Sequence, residues 1–472
     1  MSQVAHQAGA QAAWPRAQTV VLGATGVALG LAVAALAWYH SSWATVAMVI
    51  LVVATAAIFV RTLGWSVGLT VLLVVTCLID RNTFPAGRLN IRPEQVAGLL
   101  ALVAWAAFFL RSRRDLKHIW PDRTEVALLA WFALALVSSV VSAPNRIDSL
   151  KVLALLVVSS LALFLPRRLL ANRPEKLEAV VGWALLAFAV ESVYASLTYF
   201  VHVFGPTISI SLNPATGHLN AYGTLWEPNV LGAMAGAGAV GWVFLGPRYF
   251  KHSWIGVAIC LTACVASFAR AAWLAVIIVI GLTVATGLRR RIDLRTLGFG
   301  AAGAAVAVAW IFASDRLGNY TQGGGVGSSV GNATDILGRL YQFAPAFTDL
   351  KLDPILGVGI DSFGQLHIRF DGVPEHLGNL ELLVLHDTGV VGLLVFAAFV
   401  VAIVIAIWKS RENPVVLGLA AMTTVIALAN QATETLELMI TWLLIGLLLA
   451  ATDAGAHVSS PSIARTARDT AS

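Results

Sequence analysis

The chain has 472 residues, 58% of them hydrophobic and only 12% charged, with a mean hydropathy of +0.80. Soluble proteins carry about 25% charged residues, so there is too little polar material here to coat a water-soluble body of this length. That excludes a soluble enzyme, a nucleic-acid-binding domain and a disordered scaffold, and leaves an all-α polytopic membrane protein.

In chain order, residues 1–17 are polar and Ala/Gln-rich. They lack the short apolar core and cleavage site of a removable signal and read as a cytoplasmic tail. Apolar stretches of about 20 residues then predict fourteen spans, within a range of about 12–14 transmembrane helices. Eleven occupy 18–313, at 18–38, 43–60, 63–79, 95–110, 124–142, 149–165, 178–204, 228–246, 253–268, 271–287 and 296–313. A large extracytoplasmic loop fills 314–382. Three more spans, 383–408, 415–430 and 435–452, complete the membrane part and leave 453–472 as a cytoplasmic tail.

The net charge is +6, and its distribution gives the orientation. With the N-terminus inside and the spans alternating, 21 Lys and Arg fall on the inner side and 10 on the outer side. This is the positive-inside bias, and it predicts a plasma (inner) membrane protein with both termini cytoplasmic. Cys77, Cys260 and Cys264 all lie in apolar runs, where no disulfide framework is expected.

Two outer loops are longer than a connection requires. The first, 205–227, contains no Lys or Arg. The second opens on the Gly/Ser-rich TQGGGVGSSVGNAT and continues into a helical pattern. Ile336, Leu337, Leu340, Phe343, Ala344 and Phe347 form its apolar face, with Asp335, Arg339, Gln342 and Asp349 opposite. Asn332 or Thr334 is a candidate cap, and Pro345 in mid-pattern is a candidate kink. The expectation is an amphipathic helix lying on the outer membrane surface.

In a membrane protein the informative side chains are ionisable groups in or beside the bilayer. Here they gather toward the outer side: Glu191, Glu227, Arg270, Arg339, Glu375, His376, Glu381, His386 and Asp387. Arg270, in ASFARAAWLAV, is either a snorkelling interfacial Arg or an anion ligand whose planar fork matches phosphate. Arg339 is either solvated on its helix or part of the same anion site. His376 precedes the helix that re-enters the membrane; a lone loop His is often incidental, and His386 competes with it from a deeper position. Glu227-Pro228-Asn229 is either a helix start or a binding element. No metal spacing and no nucleotide fingerprint is present.

The order of these elements is more specific than any one of them. The segment GRLYQFAPAFTDLKLDPILGVGIDSFG, followed by EHLGNLELLVLHDTGVVGLLVF, resembles the signature region of the O-antigen ligase and O-antigen polymerase superfamily. The matching positions are Arg339, Pro354, Gly357, Gly359, His376, Asn379, Gly389 and Gly392, and upstream SFAR at 267–270 and EPN at 227–229. The chain departs from the family pattern in separating His376 from Asn379 by two residues and in placing Ser267 three residues before Arg270.

The resemblance implies a membrane glycosyltransferase that uses a polyprenyl-diphosphate-linked glycan donor and a glycan or glycolipid acceptor on the outer face. Transfer would be inverting and metal-independent, with no cofactor, with membrane lipids as partners and with no nucleic acid. Two arginines, Arg270 and Arg339, would hold the diphosphate, and His376 would take the acceptor proton. Glu227, Asn229, Asn379, Glu375 and Tyr222 are the substrate-binding candidates. A polysaccharide polymerase shares the same loop and is the near alternative. A lipid-linked-glycan flippase or transporter is the rival from another class, but internal repeats and a central charged cavity are the marks of one, and this chain gathers its charges at one side.

Overall fold

A computed structural model describes residues 42–79, 84–86, 89–112, 120–170, 173–204, 220–221, 223–225, 227–286, 294–313, 342–368, 375–431 and 435–458. The span expected at 18–38, the N-terminal tail, residues 459–472 and about half of the 314–382 loop lie outside these residues. Each of the other thirteen expected spans falls on one helix.

In chain order these are α1 (Ser42–Leu63), α2 (Trp65–Thr76), α3 (Pro93–Ser112), α4 (Arg123–Val141), α5 (Arg146–Leu170) and α6 (Pro174–Phe204). Then come α7 (Pro228–Phe244), a single turn α8 (Gly246–Tyr249), α9 (Ser253–Ala266), α10 (Arg270–Ala285) and α11 (Leu294–Ala313). Two short helices, α12 (Phe343–Leu350) and α13 (Ser362–Leu366), precede α14 (Leu380–Lys409), α15 (Pro414–Ala429) and α16 (Met439–Val458). Among the described residues α3, α4, α5, α6 and α14 are long and apolar enough to cross a membrane, and shorter apolar helices pack with them. The protein is an all-α polytopic membrane protein.

One small hairpin was not expected. Strands β1 (Phe84–Ala86) and β2 (Leu89–Ile91) pair antiparallel, with Phe84 opposite Ile91. The α1–α2 turn also differs from expectation. Helix α1 continues through Arg61 and Thr62, and the break comes at Gly64, whose φ of 80° suits a residue without Cβ.

The helix ends sort the polar groups to two ends of the bundle. At one end Asp122 caps α4 in a capping box with Glu125. Arg167 of α5 bonds to Asp122 (2.8 Å), Glu125 (2.9 Å) and Asp453 of α16 (2.9 Å). Arg168 also pairs with Glu125. Arg167 is 8% exposed and Glu125 1%, so each charge needs the others in order to stay buried. Burial alone would raise the Asp122 carboxyl. The Arg167 hydrogen bond, the Glu125 N–H and the two arginine charges outweigh it and hold Asp122 below its usual range. This clamp ties α4, α5 and α16 together.

At the other end α4 finishes at Ser138, Ser139 and Ser142; the last two hydroxyls reach the segment that follows α12, and Ser138 reaches Asp387 of α14. That end carries the candidate site.

Candidate functional site

The centre of the site end is a break in α14. Gly389 has φ 65°, ψ −171°, so the helix stops there and restarts. A break leaves backbone groups unpaired, a heavy cost away from water. The loop Pro354–Gly359 supplies the partners. Val358 N–H donates to His386 O (2.8 Å) and Gly359 N–H to Asp387 O (3.1 Å), while Val390 N–H donates to Pro354 O (3.0 Å). From α4, Ser138 Oγ donates to Asp387 O (2.7 Å), Ser139 Oγ accepts from Ile360 N–H (3.3 Å), and Ser142 Oγ donates to Asp353 Oδ2 (2.8 Å). The Gly-punctuated loop and the interrupted helix therefore form one unit.

Beside that unit lies a chain of titratable groups, buried at His386 and Asp387 and half-buried at Asp349 and His367. His386 is fully buried; its Nδ1 lies 3.0 Å from Asp387 Oδ1 and its Nε2 3.3 Å from Asp349 Oδ2. The same Asp349 oxygen lies 2.7 Å from His367 Nε2. Asp349 belongs to the loop helix. Its described part is only Phe343–Leu350, and residues 336–341 lie outside the described residues. Ala344 and Phe347, on the expected apolar face, are exposed, whereas Ala346 and Leu350 are buried and Asp349, on the expected polar face, lies beside His386. Pro345 causes no kink, because it occupies the first helical turn, where no backbone donor is required.

His376 stands above this layer with 60% of its side chain exposed. Its backbone is fixed from α12: Gln342 Nε2 donates to His376 O (3.1 Å), and Gln342 Oε1 accepts from Gly378 N–H (3.5 Å). Asp361 Oδ1 lies 4.0 Å from His376 Nδ1. The sequence reading did not single out Asp361. Its signal is structural, a left-handed φ of 56° at a non-Gly residue. Glu375 N–H donates to His367 O (3.0 Å). Asn379 caps α14, its Oδ1 accepting from Leu382 N–H (2.9 Å) and its Nδ2 donating to Gln431 Oε1 (2.8 Å). Gln431 in turn donates to Glu381 (2.9 Å) and joins α14 to the end of α15.

A second group of candidates meets at the α9–α10 turn. Phe268, with φ 55°, carries the strain of that turn. Ser267 Oγ accepts from Ala269 N–H (3.2 Å) and donates to Cys264 O (2.7 Å). Arg270 is the first residue of α10 and is exposed. A cation at a helix N-terminus opposes the dipole, whereas an anion there meets both the dipole and the guanidinium. The start of α7 packs on this turn at Gly232, where an added Cβ would lie 2.4 Å from Ala269 Cβ. Glu227 and Asn229 open that helix and bond to each other at 2.7 Å. Ala221 N–H donates to Ala266 O (2.9 Å), and Thr224 is anchored to buried Glu191 through its N–H (2.7 Å) and hydroxyl (2.8 Å). The structure thus gathers Arg270, Glu227 and Asn229 around one junction, and His376, Asn379 and Glu375 around another. Arg339 and Tyr222 lie outside the described residues. Among the described residues no group of His, Cys, Asp and Glu has the arrangement of a metal site.

No curated protein matches the chain in sequence. The family model for O-antigen ligase matches residues 255–397, from within α9 to the middle of α14, and so takes in the α9–α10 turn, the Pro354–Gly359 loop, His376 and the α14 break. Over this segment, less than a third of its length, the chain is similar to the O-antigen ligase family.

Proposed function

We propose that this protein transfers a glycan from a polyprenyl-diphosphate-linked donor to an acceptor hydroxyl at the outer face of the plasma membrane. The observation that carries the reading is His376. It lies within the matched segment, Gln342 pins the backbone at its carbonyl and at Gly378 N–H, and its imidazole remains exposed. A neutral imidazole offers one unprotonated ring nitrogen that can take a proton.

In the proposed step the imidazole accepts the acceptor hydroxyl proton while that oxygen attacks the anomeric carbon. The bond from the anomeric carbon to the diphosphate oxygen breaks, and the diphosphate leaves with the electron pair. Arg270 and Arg339 meet the growing negative charge of the leaving group. Attack opposite the leaving group inverts the anomeric centre. The ligase reading places the acceptor on a glycolipid, and Glu227, Asn229, Glu375, Asn379 and Tyr222 are the proposed contacts to sugar.

The test uses full-length protein with a lipid-linked glycan donor and candidate acceptors. His376→Ala should lower turnover by about 10²–10⁴-fold with donor binding intact, the usual contribution of a general base. His386→Ala, at a buried position, should lower stability before it alters the chemistry of folded protein. Loss of activity in folded His386→Ala together with full activity in His376→Ala would exchange the roles and defeat the proposal.

A further inference from the structure

The feature of the site end that neither the sequence reading nor the family match assigns is Asp361. It sits at the entry of α13 in a left-handed conformation, which costs a non-Gly residue backbone strain and persists only when its surroundings impose it. The surroundings do so here. Gly359, two residues earlier, is itself left-handed at φ 97°, Ile360 N–H donates to Ser139 Oγ, and Asp361 N–H donates to Asp387 Oδ2 at 3.0 Å. The result is a carboxylate aimed up from the α14 break toward the exposed imidazole, with Oδ1 4.0 Å from His376 Nδ1.

We infer that Asp361 is a positioning residue for His376: its carboxylate faces Nδ1, which leaves Nε2 to meet the acceptor hydroxyl. This rests on the reading of His376 as the proton acceptor. Two features of the geometry suit the role. The Gln342 bonds fix the His376 backbone but leave the ring free to turn, so the ring needs a side-chain partner of its own. The carboxylate is also crowded by like charges, with Asp387 on α14, Glu437 before α16 and Asp148 on α5 all acting on it. An imidazolium formed at His376 would relieve that repulsion. The same pairing would therefore favour the protonated ring as transfer proceeds.

The experiment follows the His376 ring by NMR titration in detergent-solubilised full-length wild type, Asp361→Asn and Asp361→Gly, with His376→Ala identifying the resonance. Both replacements tolerate a left-handed backbone, Gly without strain and Asn with little. In each variant the His376 titration should move to lower pH, because the neighbouring carboxylate is gone. The transfer assay should show kcat about tenfold lower with KM for the donor unchanged, and the acid limb of the pH profile moved to lower pH. A purely structural Asp361 would alter neither the titration nor the limb. An unmoved His376 titration in both variants overturns the inference. Wild-type transfer by His376→Ala would overturn instead the reading of His376 as base, and the titration separates the two failures.

Discussion

Gly357 and Gly389 meet backbone to backbone. A Cβ on Gly357 would lie 2.4 Å from Gly389 N, and one on Gly389 would lie 2.6 Å from Gly357 N. Both residues are left-handed, at φ 79° and 65°. The contact lets the Pro354–Gly359 loop reach the open end of the broken helix and satisfy its backbone groups. Gly357→Ala and Gly389→Ala should each cost at least about 1–3 kcal/mol from the backbone alone, with the overlap adding to it. Thermal unfolding of the solubilised protein reads this directly. Gly281→Ala in α10, where an added Cβ meets nothing within 4 Å, is the control and should melt like wild type or slightly higher. Equal melting of all three variants would show that loop and helix are not docked in this way.

Asp349 is the second such joint, since it serves both His367 and buried His386 and so ties α12 to α14. Asp349→Ala would leave His386 with an unsatisfied ring nitrogen inside the protein, at a cost of about 1–3 kcal/mol. A double-mutant cycle of Asp349→Ala and His386→Leu should return a coupling of about 0.5–3 kcal/mol. Strict additivity would mean that the two side chains do not interact.

The membrane helices were legible because hydropathy needs no partner: each expected span within the described residues lies on a helix. The break in α14 was not. LHDTGVVGLLVF continues an apolar helical pattern through Gly389, and the interruption is stabilised by a loop about thirty positions upstream and by Ser138 of α4. The contact of Asp349 with His386 is hidden for the same reason, since the two are 37 residues apart. Asp361 gives no local signal beyond being a polar residue after GVGI, and its meaning comes from a left-handed backbone and a histidine fifteen positions on. The hairpin at 84–91 did leave a trace, Gly87-Arg88 between two short apolar runs, which fits a tight turn.

Orientation is tested by labelling. The native Cys77, Cys260 and Cys264 are all buried, which keeps the background low. A membrane-impermeant thiol reagent applied from outside intact cells should modify Ser328→Cys and spare Ser112→Cys. The reverse pattern would place the site end on the cytoplasmic side and remove the basis for an outer-face reaction.

Arg270 and Arg339 are expected to act through the shape of the guanidinium as well as its charge. Lysine keeps the charge and loses the two-pronged contact, worth about 1.5–3 kcal/mol when it engages a charged oxygen pair. Arg270→Lys and Arg339→Lys should each lower kcat/KM for the lipid-linked donor by about 10–100-fold at normal membrane insertion. A snorkelling or merely solvated Arg would tolerate the exchange, so full activity in both variants would remove the diphosphate role.

The stability of the site end should also depend on pH through Asp361. Burial, followed by the charges of Glu437, Asp387 and Asp148, pushes its carboxyl up from 3.8 to about 7. Between those two values the folded chain holds a proton that the unfolded chain releases. The folded state is thus favoured at the acid end of that window, and this contribution declines as pH rises from about 4 to about 7. Asp122 at the opposite end behaves the other way, since its carboxyl is held below its usual range and its contribution is lost only as pH falls below about 4. The two windows do not overlap. Asp361→Asn carries no titrating proton, so its melting temperature should fall less than that of wild type between about pH 5 and pH 8. The difference between the two chains isolates this carboxyl from every other group that titrates in that range. Parallel melting curves across the interval would mean that Asp361 is ionised as readily in the fold as outside it, and that the crowding by Glu437, Asp387 and Asp148 does not act on it.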